Sequence, residues 1–349
     1  MELDRWGWND HFAEAFASAC HPPEAAPGRV VSGNRGIYRL RGQNEEITAR
    51  LSGAFNGAGA PERPVTGDWV ALDPAGRLIL ALLPRRTRIS RKKAGRNFQE
   101  QVLAANVDVI FIVTGLDGDF KPSRLERYML LAQESGAWPV IVLNKSDLCE
   151  DPLPKLRYAD RIAAGAPVVL MSALDADSAA QLGRHVETTQ TAVVVGSSGV
   201  GKSTIVNHLL GAEAQAVREV RASDSRGRHT TTSRELFRLG QGWLLIDTPG
   251  LRELEPWAGP EAVGAVFGDI EALAAGCRFR DCRHEGEPGC AVELAVQAGA
   301  LDEDRLSNMR KLRREMDHLT RMQDQRAALE HKRMVKRFHR AFRKVEPRG

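Results

Sequence analysis

The segment Gly196-Ser197-Ser198-Gly199-Val200-Gly201-Lys202-Ser203 constrains this chain more than any other. It follows the apolar run Thr191 to Val195 and opens a helical stretch, so it has the spacing and context of a strand, a glycine-rich loop and a helix amino terminus. Glycines let backbone N–H groups in such a loop close around phosphate oxygens, and the helix end adds positive potential. Lys202 is placed to reach the terminal phosphates and Ser203 to bind magnesium. Around this unit, Val107 to Thr114, Val140 to Leu143, Val168 to Met171 and Trp243 to Ile246 read as near-continuous apolar strands. Helical stretches such as Arg124 to Ser135 separate them, which predicts a parallel sheet covered on both faces.

Two further motifs complete the outline of a nucleotide site. The strand Trp243 to Ile246 ends in Asp247-Thr248-Pro249-Gly250, where an aspartate can hold magnesium through water and the Gly250 amide can meet a terminal phosphate. The strand Val140 to Leu143 ends in Asn144-Lys145-Ser146-Asp147. A carboxylate at Asp147 matches the paired N–H donors of guanine, which adenine lacks, so the site is predicted to select GTP over ATP. Ser172-Ala173-Leu174, after the next strand, reads as the loop that supports the base from its far side. The order is unusual: the base-reading segments precede the phosphate loop. The site can still form if the sheet is wired as a circular permutation, because binding depends on where strand ends meet in space.

Between the phosphate loop and Asp247 lies the polar stretch Arg226-Gly227-Arg228-His229-Thr230-Thr231-Thr232. One of its threonines, with Thr231 favoured, is expected to complete the magnesium shell alongside Ser203 and Asp247. The residue after Gly250 is Leu251, which cannot orient water. Either His229 positions the attacking water or a partner supplies that group in trans.

Cys277-x4-Cys282-x-His284-x5-Cys290 offers three thiolates and an imidazole, a complete tetrahedral set for one structural zinc ion with no open position. Pro288 and Gly289 supply a turn that returns Cys290 to the cluster. Cys20 and Cys149 are isolated and read as idle thiols in a reducing compartment.

From Gly28 to about Pro84 the apolar residues alternate (Tyr38 and Leu40; Ile47, Ala49 and Leu51; Val70 and Leu72; Leu78 and Leu80), with glycine-rich breaks between the runs. Several short strands without a helical period predict a small closed barrel of the oligonucleotide-binding type. Before it, Trp8, Phe12 and Phe16 recur at helical spacing and are expected to pack on a neighbouring surface. After it, Arg85, Arg86, Arg88, Arg91, Lys92, Lys93 and Arg96 form a basic connector suited to phosphate contact. Charge is uneven along the 349 residues. Residues 305–349 carry 15 Lys and Arg against 5 Asp and Glu, a net of +10, which leaves −6 on residues 1–304. In that tail Leu306, Met309, Leu312, Met316 and Leu319 lie at helical spacing, and His331 to Lys344 is dense in cations, so a polyanionic partner is expected. The longest apolar runs are far shorter than the ~20 residues of a membrane span, and the start of the chain lacks a secretion signal, which predicts a cytoplasmic protein with no membrane partner.

These residues resemble one family closely: RsgA, the circularly permuted GTPases that depend on the small ribosomal subunit. The resemblance is carried by Gly67-Asp68-Trp69-Val70, Leu103-Ala104-Ala105-Asn106-Val107-Asp108, Asn144 to Asp147, Gly196 to Thr204, Gly227 to Thr232, Asp247 to Gly250 and Cys277 to Cys290. It implies three domains: an all-β oligonucleotide-binding barrel, a central α/β permuted P-loop GTPase and a mainly helical zinc-binding domain. On this chain they fall at 28–85, 104–256 and 257–320, with an extension at 1–27, the basic linker at 86–103 and a basic tail at 321–349. It further implies GTP and GDP with Mg2+ as ligands, and a monomer that binds the 30S subunit and 16S rRNA during late maturation and leaves on hydrolysis. Two other readings differ in class: a GTPase acting on a protein partner, and a zinc-dependent RNA-binding protein with a structural nucleotide site.

Overall fold

The computed structural model describes residues 2–19, 21–55, 62–92, 100–118, 120–211, 234–247, 260–322 and 335. The chain divides into two compact units, Met1–Arg91 with Gln101–Pro256, and Lys92–Glu100 with Trp257–Gly349.

The first unit opens with a 3-10 turn, Glu2–Trp6, and helix α1, Asp10–Ser18. The Asn9 side chain caps α1 by accepting from the Phe12 N–H at 3.3 Å. Strands β1 (Ala26–Asn34), β2 (Ile37–Arg41), β3 (Glu46–Leu51), β4 (Trp69–Leu72) and β5 (Leu78–Leu82) then close into a barrel in the order β1-β2-β3-β5-β4. Closure removes the unpaired edges that an open five-stranded sheet would expose. Val30, Tyr38, Leu40, Ala49, Phe55, Val70, Leu72 and Ile79 fill its interior. The face of β5 corrects the sequence reading: Ile79 is fully buried, whereas Leu78 is 42% exposed. A register shift against β4 between Ala71 and Leu72 pairs Leu72 with Ile79 and turns that residue inward. Trp8 and Phe12 pack on the barrel through Trp69, with ring centroids 4.8 and 5.7 Å away.

The basic connector contains two strands, β6 (Arg88–Lys92) and β7 (Glu100–Ala105), paired as a ribbon. Beyond it, β8 (Val109–Gly115), β9 (Trp138–Asn144), β10 (Val168–Leu170), β11 (Thr191–Gly196), β12 (Glu235–Arg238) and β13 (Leu244–Asp247) form one sheet in the order β10-β9-β8-β11-β13-β12. All pairs are parallel except β12 with β13. Residues of β8, β9 and β11 are almost entirely buried, as a sheet covered on both faces requires. Helices α2 (Pro122–Ser135), α3 (Leu153–Ala163), α4 (Ala176–Ala180) and α5 (residues 202–211) belong to this part. Strands β8 to β10 make one half of the sheet and β11 to β13 the other. The phosphate-loop strand is therefore central in space although it comes late in the chain.

Barrel and sheet meet at a buried polar seam. Arg29 of β1, 2% exposed, donates to Thr191 Oγ1 at 2.8 Å, to the Asn106 carbonyl at 3.4 Å and to the Trp6 carbonyl, and lies over the Trp69 ring at 5.3 Å. Burial pushes its guanidinium down to about 10, against the opposing pull of Asp108 and Asp68. Asn106 holds a left-handed backbone, φ +54°, while its side chain donates to the Gly67 carbonyl and accepts from the Arg86 N–H. A Cβ at Gly67 would stand 2.1 Å from the Ala105 carbonyl oxygen, so only glycine permits this approach. Asp68, also buried, takes two hydrogen bonds from Arg85 at 2.7 and 2.8 Å. Arg39 of β2 reaches Glu235 of β12 at 3.0 Å, and Thr66 donates to the Arg234 carbonyl.

In the second unit, α6 (Pro260–Val266), α7 (Gly268–Ala274), α8 (Ala291–Gln297) and α9 (residues 303–322) surround a small core. The expected stripe Leu306, Met309, Leu312, Met316 and Leu319 is buried along α9. Arg305, 1% exposed, pairs with Asp269 of α7 at 2.7 Å and lies over the Phe267 ring at 4.7 Å.

Candidate functional site

The carboxyl ends of β8, β9 and β11 lie side by side, with Gly115 opposite Asn144 and Val113 opposite Gly196. The phosphate loop therefore rises directly beside the base-reading motif. Gly196, Gly199 and Gly201 have φ of +146°, +81° and +97°, conformations that side chains resist. A Cβ at Gly196 would meet the Val113 carbonyl oxygen at 2.2 Å, and one at Gly201 the Asn144 amide at 2.3 Å.

Asn144, 1% exposed, joins three segments through one amide: Nδ2 donates to the Val200 carbonyl at 2.7 Å and Oδ1 accepts from the Ala173 N–H at 2.7 Å. Lys145 has a left-handed φ of +63° and pairs with Asp117 at 2.6 Å. The Ser146 N–H donates to the Met171 carbonyl at 3.1 Å, and the Ser172 hydroxyl donates to Asp147 Oδ1 at 2.5 Å. Asp147 is itself exposed at this rim. On the other side Val200 is buried, Ser198, Gly199 and Ser203 are exposed, and Thr204 sits in the first turn of α5. Lys202 Nζ donates to the Ser197 carbonyl, and Arg124 donates to the Ser197 hydroxyl at 2.6 Å. Asp247 ends β13, which pairs with β11. His229, Thr231 and Gly250 lie outside the described residues.

Arg124 and Asp117, which contact Ser197 and Lys145, are additions that no motif announces. The one local signal for Arg124 is its sign, since a cation in the first turn of a helix opposes the macrodipole.

In the second unit, Cys277, Cys282, His284 and Cys290 bring their ligand atoms within 4.8 Å of one another. His284 Nδ1 lies 3.6 Å from Cys277 Sγ and 3.4 Å from Cys290 Sγ, and these two sulfurs are 4.0 Å apart. A tetrahedron with bonds of about 2.0–2.3 Å has edges of roughly 3.4–3.8 Å, so the four residues could hold one metal ion. The Cys290 N–H closes the Pro288-Gly289 turn onto the Glu287 carbonyl at 3.2 Å. Burial, with Arg313, lowers the His284 imidazole, keeping it in the neutral form that ligates metal. Burial and the neighbouring thiols push Cys282 up to about 12. Burial also opposes ionisation of Cys277, but the Val292 and Ala291 N–H groups outweigh it and lower that thiol.

Two chain segments in swapped order that build one phosphate-and-base site on a single sheet define a circularly permuted P-loop GTPase. The model of the RsgA GTPase family matches residues 82–257. The small ribosomal subunit biogenesis GTPase RsgA of Xanthomonas axonopodis pv. citri (strain 306) is 46% identical over 317 residues, 89% of this chain and 87% of that protein. The crystal structure of YjeQ from Thermotoga maritima matches with a TM-score of 0.62 at 27% identity, covering 84% of this chain and 98% of that one. That of YloQ, a circularly permuted GTPase, matches with a TM-score of 0.61 at 27% identity, covering 86% and 98%. This chain belongs to the RsgA GTPase family.

Proposed function

We propose that this GTPase binds the small (30S) ribosomal subunit in the cytoplasm through 16S rRNA during late maturation, and that GTP hydrolysis drives its release. Asn144 carries the reading, because its amide ties the base motif, the Ser172-Ala173 loop and the phosphate loop into one pocket. In that pocket Asp147 reads guanine while Lys145, Ser146, Ser172 and Ala173 frame the base. Gly196 to Gly201 wrap the phosphates, with Lys202 and Thr204 at the helix end. Ser203, Thr231 and Asp247 hold Mg2+, and Gly250 senses the terminal phosphate. His229 positions water, a task Leu251 cannot perform. Cys277, Cys282, His284 and Cys290 hold a structural zinc ion, whose closed donor set leaves no place for substrate. The names of the relatives and the cationic tail support a ribosomal partner.

GTP turnover measured with and without purified 30S particles tests this. Strong stimulation is expected. Turnover indifferent to 30S would favour a protein partner, and no turnover in either condition would leave the nucleotide a structural role.

A further inference from the structure

Gly196, Gly199 and Gly201 of the phosphate loop all hold positive-φ conformations, and glycine can leave these at little cost, so the loop depends on contacts for its shape. Asn144 fastens the second half through the Val200 carbonyl. The first half is fastened at Ser197, whose carbonyl takes the Lys202 ammonium and whose hydroxyl takes Arg124 Nη1 at 2.6 Å. A phosphate-loop lysine serves the terminal phosphates when nucleotide is bound. With three N–H donors, Lys202 would divide them between the Ser197 carbonyl and the phosphates. Arg124 is a second side chain on Ser197, bound at its hydroxyl rather than its carbonyl. Its location supports a role beyond helix formation: it lies in the first turn of α2, a turn with no acidic residue and no side-chain cap hydrogen bond, where a cation opposes the helix macrodipole.

We propose that Arg124 is a positioning residue for GTP hydrolysis, acting through the Ser197 hydroxyl to hold the opening half of the phosphate loop while Lys202 serves the nucleotide. This rests on reading the site as a working GTPase centre. The test uses the full-length chain and its variants Arg124→Ala, Arg124→Lys, Ser197→Ala and the double alanine. Single-turnover hydrolysis is measured beside the affinity for a fluorescent GDP. Each single alanine is expected to slow hydrolysis about tenfold, ~1.4 kcal/mol, with GDP affinity changed less than about threefold. The double variant should be no slower than the slower single, because the pair acts as one unit. Arg124→Lys, able to donate to the same hydroxyl, should recover part of the rate. Unchanged rates in the alanine variants, or effects that multiply in the double, overturn the proposal. Should Arg124→Ala fail to fold, an unchanged rate in Ser197→Ala overturns it equally. An inert wild-type chain would sink the GTPase reading and this proposal together, whereas an active wild type with unaffected variants sinks this proposal alone.

Discussion

Asp147 and Asn144 are three residues apart and do different work. Asp147 is exposed at the rim and already accepts one hydrogen bond, from Ser172. Its free acceptor capacity suits the two N–H donors of guanine. Asp147→Asn replaces an acceptor with an amide that can donate to a carbonyl, so preference should move from GTP toward xanthosine triphosphate by tenfold or more, read by competition binding. Asn144 is buried, and its amide bonds the Val200 carbonyl and the Ala173 N–H. Asn144→Ala would leave a carbonyl and an N–H without their partner, a cost of about 2–3 kcal/mol. That corresponds to roughly 30- to 160-fold in the folding equilibrium, measurable by denaturant titration. Both residues stand out in the sequence because motif chemistry is local. Arg124 does not, since its partner Ser197 lies 73 positions away and one arginine among many carries no pattern.

At the scale of elements, the strands of the parallel sheet were predictable because apolar runs of four to eight residues, alternating with helical stretches, leave little choice of structure. The inward face of β5 was less legible: in a run such as Leu78-Ile79-Leu80-Ala81-Leu82 both alternations look apolar, and the register shift against β4 decides between them. In the second unit, short helices surround a four-residue cluster that could hold a metal ion. If it holds zinc as proposed, a strong chelator should reduce helical circular dichroism and increase proteolysis within residues 260–322, because the energy of metal binding is then lost from folding. The α7 to α9 ion pair gives a separate pH signature. Burial alone would raise Asp269, but hydrogen bonds and charge from Arg305 outweigh it and lower it below the ordinary value. A lowered aspartate stabilises the fold above its unfolded value of about 3.9 and loses that contribution as pH falls through the folded value. Asp269→Asn should cost about 1–2 kcal/mol at pH 7, after allowing for its partial exposure, and the deficit against wild type should narrow in thermal melts as pH falls below the unfolded value of about 3.9.

For the molecule as a whole, charge and wiring separate two kinds of behaviour. Residues 305–349 carry a net +10 and the rest −6, so contact with a polyanion should be strongly salt-dependent. Any stimulation by 30S should fall steeply between about 50 and 200 mM salt, while intrinsic turnover should change little. The barrel and the sheet were each foreseeable, but the way they meet was not, because the Arg29 bond to Thr191 spans 162 positions. No window of sequence reveals a pairing of that range. Its consequence appears during synthesis. A ribosome adding 5–20 residues per second needs roughly 8–30 s to deliver Thr191 after Arg29 has emerged. For that interval the newborn barrel's Arg29 has Trp6, Trp69 and Asn106 beside it but lacks its Thr191 partner, so the seam stays half built until a strand from the middle of the chain arrives.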